Sequence, residues 1–307
     1  MHVMVFATMS AGKSTFINSL VGSELLHSAN EATTAAIASV ASTRRMDAQS
    51  AACYAADLSL INQSARVCPQ ELKAWNADVN VQYIRVNVPF SGVYSRADQL
   101  VLHDTPGPNN SQDGKHSELA FAALRNTKLH ALCYVLNASQ LGVADDQRLL
   151  VQLREALKNK PGTQVIFVLN KADLLDAERG ESVEVMLAQA HAYLEANGFP
   201  QACLVPTMSQ NALLVKKYLT GQSLTHFEKI HLRQEMEILQ TPALSLPFTL
   251  GIPKEISCKA RDALSRMATN ATKRKHLPAH GSELPGLMHL LAQSGIPTME
   301  TLFSSRF

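Results

Sequence analysis

The sequence is poor in the residues that build sites by coordination or cross-linking. Its five cysteines form no C-x-x-C pair, which argues against both a zinc module and a disulfide framework. The eleven histidines are scattered without ligand spacing. Charge is low at 18% and nearly balanced, with a formal net charge of +2, so it points to no partner class, and no direct contact with nucleic acid is expected. Long apolar runs are missing as well. The most tempting stretch, Ile238 to Pro253, is broken by Pro242, Pro247 and Pro253 and is too short to span a bilayer. Met1 leads into an apolar run without a basic segment or cleavage site, so no signal peptide is expected. No internal repeat or low-complexity segment is visible. These absences fit a protein of the reducing cytoplasm.

What is present suits a globular fold. Hydrophobic residues make up 46% of 307 positions, enough for one large domain or two small ones. From the start to about residue 210, apolar runs of strand length alternate with amphipathic stretches of helix length, the pattern of a mostly parallel sheet with helices on both faces. Strands are expected at His2–Phe6, Ala36–Ala41, Gln82–Val88, Gln99–His103, Ala131–Asn137, Gln164–Leu169 and Ala202–Pro206. Helices are expected at Lys13–Val21, Glu118–Asn126, Asp145–Lys158 and Val183–Asn197, the last stopped by Asn197-Gly198.

Three short motifs then fall at the ends of expected strands. Ala7-Thr8-Met9-Ser10-Ala11-Gly12-Lys13-Ser14-Thr15 follows the first strand and reads as a phosphate-binding loop. Its backbone N–H groups, from Met9 through Thr15, would point inward at the phosphates. Gly12 permits close approach of the backbone, Lys13 reaches the β- and γ-phosphates, and the Ser14 hydroxyl is placed to ligate Mg²⁺. Ala7 stands where the stricter pattern has glycine. Asp104-Thr105-Pro106-Gly107 follows Leu100-Val101-Leu102-His103. Asp104 would hold Mg²⁺ through water, and the Gly107 N–H would sense the γ-phosphate. By itself this tetrapeptide is also an ordinary turn.

Asn170-Lys171-Ala172-Asp173 caps Val165-Ile166-Phe167-Val168-Leu169, the composition of a buried parallel strand. The Asp173 carboxylate can accept from the N1–H and exocyclic N2–H₂ of guanine. Adenine lacks that donor pair, and a site built on such pairing rejects the wrong base by on the order of 10⁴. The aliphatic stem of Lys171 would cover the base. In this order, the three motifs imply GTP or GDP with Mg²⁺.

With these residues, and with Ile17-Asn18, Glu31-Ala32-Thr33-Thr34-Ala35 and Pro108-Asn109 beside them, the chain resembles the dynamin-like GTPases, in their bacterial branch. The likeness is specific from residue 1 to about 212. It implies an α/β, three-layer P-loop NTPase fold with a mostly parallel central sheet flanked by helices. The whole of 1–307 would be one dynamin-type G domain, with a nucleotide-binding core at 1–212 and helical completion at 213–307. Asp104 stands 91 positions after Lys13, about double the spacing in a Ras-like GTPase. The surplus, about 46–78, reads as a helical insert with Leu58, Ile61, Leu72 and Trp75 at its apolar positions, either a surface elaboration or a partner-binding device.

The resemblance also implies roles. Thr34, or Thr33, corresponds to the switch threonine that ligates Mg²⁺ and holds the attacking water. Ser10 matches the loop position that helps to bind a monovalent cation, K⁺ or Na⁺, between the β- and γ-phosphates. Ser10, Lys13, Thr34 and Gly107 would thus carry catalysis, and Ser209, in Thr207-Met208-Ser209-Gln210, would fall in the last base-contacting motif. Pro108 and Asn109 stand where a water-positioning glutamine would be. Relatives gain rate by pairing two G domains across the nucleotides, so a homodimer through that face is expected. A full helical stalk does not fit in residues 210–307, which suggests a separate helical partner chain, a truncated frame or a free-standing G domain. Residues 254–275 hold seven basic residues against two acidic. Such a face could attract anionic lipid at the inner membrane or an acidic partner; a solvated helix has the same composition.

Overall fold

The computed structural model describes residues 1–8, 10–27, 36–43, 49–92, 100–106, 114–239, 246–272 and 283–305. Among these residues nine strands form one sheet: β1 (His2–Ala7), β2 (Ile37–Ser42), β3 (Ser50–Tyr54), β4 (Leu60–Ser64), β5 (Tyr83–Val88), β6 (Val101–Asp104), β7 (Ala131–Asn137), β8 (Gln164–Asn170) and β9 (Cys203–Thr207). Their spatial order is β4-β3-β5-β2-β6-β1-β7-β8-β9. Strands β6, β1, β7, β8 and β9 are parallel. At β2 the direction reverses against β6, β5 runs parallel to β2, and β3 and β4 close the wing as an antiparallel pair.

Ten α-helices among the described residues accompany the sheet: α1 (Lys13–Val21), α2 (Pro69–Ala77), α3 (Gly114–Asn126), α4 (Ala144–Leu157), α5 (Val183–Ala196), α6 (Ser209–Leu219), α7 (His226–Ile238), α8 (Lys254–Thr272), α9 (Leu284–Gln293) and α10 (Ile296–Ser304). The central strands are apolar on both faces, and their alternation divides the core in two. From β1, Val3, Val5 and Ala7 join Phe16 and Leu20 of α1, Leu214 of α6, Leu264 of α8, Leu290 of α9 and Phe303 of α10. Met4 and Phe6 face the other way, onto Leu124 of α3, Leu150 of α4 and Leu194 of α5. This is the expected three-layer α/β arrangement.

The expected helical insert is corrected by the structure. Residues 50–64 are a β-hairpin, and among the described residues of the insert only Pro69–Ala77 is helical. Ala51 and Cys53 are buried alternately with half-buried neighbours, a period of two that small residues disguise in the sequence. Leu58 and Ile61 have helical spacing, yet Leu58 sits in the turn with φ 66° and both side chains are exposed. Asp57 fixes that turn by accepting from the Ser59 N–H and hydroxyl. Leu72 and Trp75 are buried as expected.

Beyond residue 212 the helices are tied to the front of the chain. Lys216 of α6 is buried, where its ammonium donates to the Ser19 carbonyl of α1 at 2.6 Å and to the Glu300 carboxylate of α10. Lys217 beside it pairs with Glu24 and Glu228 at 3.0 and 2.8 Å. Leu284-Pro285-Gly286-Leu287 has the composition of a loop, yet it opens α9, and α10 follows. Pro285 near the first turn explains the difference, since proline suits that position of a helix.

Candidate functional site

Parallel strands deliver their following loops to one edge of the sheet, where ligands of such folds collect. The loop after β1, Asp104 at the end of β6, Asn170 at the end of β8 and Thr207 at the end of β9 all lie at that edge. The loop after β1 turns sharply. Ser10 has φ 62°, and Gly12, the residue before α1, has φ 88°. A Cβ at Gly12 would stand 2.4 Å from Asn170 Nδ2, so both conformation and space require glycine there. Helix α1 then begins at Lys13 with no side-chain cap, which leaves its first N–H groups directed out of the helix end.

Lys13 and Asp104 form an ion pair across this edge. The one cation of the 7–15 segment and the acidic end of β6 therefore face one another, with Ser14 at the start of the same helix. Beside Asp104, the Thr105 hydroxyl donates to the Val5 carbonyl at 2.8 Å, which fixes the turn after β6 against β1. His103 points into the fold; burial and the neighbouring His2 hold its imidazole down at about 4. Oxygen donors of this kind suit Mg²⁺, which is typically bound by one or two carboxylates with water and phosphate completing the shell. Among the described residues no group of three His, Cys, Asp or Glu could hold a metal by itself.

Asn170 is the hub of the second half. Its Nδ2 donates to the Ala11 carbonyl at 2.9 Å. Its Oδ1 accepts from the hydroxyls of Thr207 and Ser209, at 3.0 and 2.7 Å, and from the Ser209 N–H at 3.3 Å. One buried amide thus joins the loops after β1, β8 and β9. Ser209 is brought to the site, but its hydroxyl is directed to Asn170. Lys171 takes a left-handed conformation, φ 65°, and starts a short 3₁₀ turn at Ala172–Leu174 that carries Asp173. Burial raises the Asp173 pKa, partly offset by its own N–H, His231 and Lys171. Among those, His231 comes from α7, and its Nε2–H donates to Asn211 Oδ1 of α6 at 2.7 Å.

Two contributors were not anticipated. Asp146 of α4 is 1% exposed, accepts from the Tyr134 hydroxyl at 2.8 Å, and is hydrogen-bonded to the Thr8 side chain in the phosphate loop. Burial raises its pKa. Nothing in the spacing of 8 and 146 signals this contact, although an acidic residue at an otherwise apolar helix position is a hint. The second is His231, which lies in a helix with no motif. Met9, Thr33, Thr34 and Gly107 lie outside the described residues, as do Pro108 and Asn109. Helix α8 turns Ile256, Ala260 and Leu264 inward and exposes Lys254, Lys259, Arg261 and Arg266, so its apolar side is already used within the fold. Among the described residues no helix is long and apolar enough to cross a membrane.

Comparison with known proteins gives a consistent picture. The model of the dynamin family matches residues 3–172. Two solved structures of an oligomerised bacterial dynamin pair, described as a mechanism for long-range sensing and tethering of membranes, share the fold. One has 16% identity and a TM-score of 0.55, over 89% of this chain and 41% of that one. The other has 17% identity and a TM-score of 0.53, over 89% and 42%. The chain therefore spans about two fifths of the length of these structures. No protein of curated function matches the sequence.

Proposed function

The chain belongs to the dynamin family, and from that premise we propose that it binds and hydrolyses GTP as a nucleotide-dependent switch. The observation that carries the proposal is the Lys13–Asp104 pair beside the Asn170 hub. Phosphate-side and base-side residues meet at one sheet edge, and each polar group has a role that a guanine nucleotide would satisfy. Lys13 would leave Asp104 for the β- and γ-phosphates, and the backbone N–H groups of Met9 to Thr15 would cradle them. Ser14, Thr34 and Asp104 would hold Mg²⁺, whose charge offsets that of the phosphates when bound. Ser10 would add a K⁺ or Na⁺ site, and Gly107 would report the γ-phosphate. Asp173 would select guanine, with Lys171 over the ring and Ser209 locking Asn170.

Hydrolysis in such a site depends on positioning and charge, and a G domain without a cis arginine turns over at only ~10⁻⁴ to 10⁻² s⁻¹. Pairing of two copies across the nucleotide face is proposed as the accelerator. The proposal takes 1–307 as one G domain, because α6 and α8 to α10 share one apolar cluster with β1 and α1, and sets it in the cytoplasm, where its free cysteines would stay reduced. Phosphate release from GTP by the purified protein tests it. Release abolished by Lys13→Ala supports hydrolysis. Nucleotide binding without release would make the chain a regulatory module for a separate helical partner.

A further inference from the structure

Asp146 stands in the first turn of α4, where a carboxylate favours the helix start. Its neighbour Asp145 meets that need from the surface, whereas Asp146 is fully buried. A buried carboxyl is tolerated where hydrogen bonds replace the water it has lost. Among the described residues two side-chain hydroxyls reach it. The Tyr134 hydroxyl of β7 donates at 2.8 Å, and the Thr8 hydroxyl, in the loop after β1, donates as well. The first partner belongs to the core of the fold and the second to the phosphate loop.

That loop needs anchors. Ser10 holds a left-handed backbone, φ 62°, without being glycine, a conformation that persists only where the surroundings fix it. On one side Asn170 holds the Ala11 carbonyl at 2.9 Å. On the other, the Ala11 N–H donates back to the Thr8 carbonyl at 3.4 Å. The turn thus rests on Thr8, and Thr8 rests on Asp146. We propose that Asp146 is a positioning residue of the nucleotide site, which through Thr8 holds the phosphate loop in its binding shape before the ligand arrives. The inference rests on the GTP-binding reading and adds to it a residue from outside its motifs. A loop already shaped for its ligand loses less freedom on binding. Asp146 itself meets neither phosphate nor base, so its loss should weaken binding and leave the preference for guanine unchanged.

Titration of the full chain with fluorescent GDP, beside a thermal melt of each variant, tests it. Thr8→Val removes the hydroxyl and keeps the branched shape, and should raise the GDP dissociation constant about tenfold. Asp146→Ala should raise it as far, and the double variant no further, because both substitutions remove the same contact. Asp146→Asn can still accept from Tyr134 and can donate to Thr8, and should bind within about twofold of the parent. Tyr134→Phe takes the other hydroxyl from the same carboxyl. It should lower the melting temperature and leave the dissociation constant unchanged. GDP affinity that follows melting temperature through every variant, Tyr134→Phe included, would make Asp146 part of the fold alone and overturn the proposal. Additive losses in the double variant, or parental binding by Thr8→Val, would overturn it too. A parent chain that binds no GDP would instead overturn the GTP-binding reading, and the inference with it. If Asp146→Ala does not fold, the Thr8→Val, Asp146→Asn and Tyr134→Phe variants decide.

Discussion

Asn170 and Ala11, 159 positions apart, are joined by a hydrogen bond in which the Asn170 amide donates to the Ala11 carbonyl at 2.9 Å. The same side chain accepts from the Thr207 hydroxyl and from the Ser209 hydroxyl and N–H, so its removal strands four buried polar groups. Asn170→Ala is expected to lower stability by about 2 kcal/mol and to weaken nucleotide binding by tenfold or more. A thermal melt and a titration with fluorescent GDP check both effects. Unchanged affinity would separate Asn170 from the nucleotide site.

The proposed selection of guanine rests on Asp173. Asp173→Asn replaces one acceptor with a donor and should cut the preference for GTP over ATP by at least about tenfold, from a starting value on the order of 10⁴. Because burial raises the Asp173 pKa, GTP affinity should also fall on acidification at a higher pH than for an ordinary carboxylate. Competition assays at several pH values read both.

Asp146 makes a prediction about stability. Its pKa is raised in the fold, first by burial, so the native chain holds this proton more tightly than the unfolded chain does. Stability contributed by this group is therefore full at low pH and lost as pH rises through the raised value. Asp146→Asn, which stays neutral and still accepts from Tyr134, should melt higher than the parent at pH 7. That advantage should disappear below the usual carboxylate range. Melting curves across pH check the sign.

The Lys216–Glu300 pair is buried on both sides, at 1% and 3% exposure. Lys216→Met removes the ammonium that faces the buried Glu300 carboxylate and should cost about 3–5 kcal/mol. Adding Glu300→Leu should restore part of that loss, because the burial penalty of the carboxylate goes with it. Urea unfolding of the single and double variants measures the difference.

Much of this was legible in the sequence where burial writes a plain pattern. Strands β1, β7 and β8 are apolar on both faces, and α1 begins directly after the phosphate loop, so their limits could be read within a residue or so. The hairpin at β3 and β4 was not legible, because Ala51 and Cys53 are too small to mark a period of two and Leu58 and Ile61 mimic helical spacing. Within the site, Lys13, Asp104 and Asn170 announced themselves through local motifs. The contacts of Asp146 with Thr8 and of His231 with the Asp173 neighbourhood depend on helices folding back over long distances, which no local spacing encodes.

The account stands most directly on GTP turnover measured as phosphate release against protein concentration. It predicts a slow basal rate per molecule that rises with concentration and vanishes in Lys13→Ala. Absence of release by a protein that binds GTP, or release unaffected by Lys13→Ala, would contradict it.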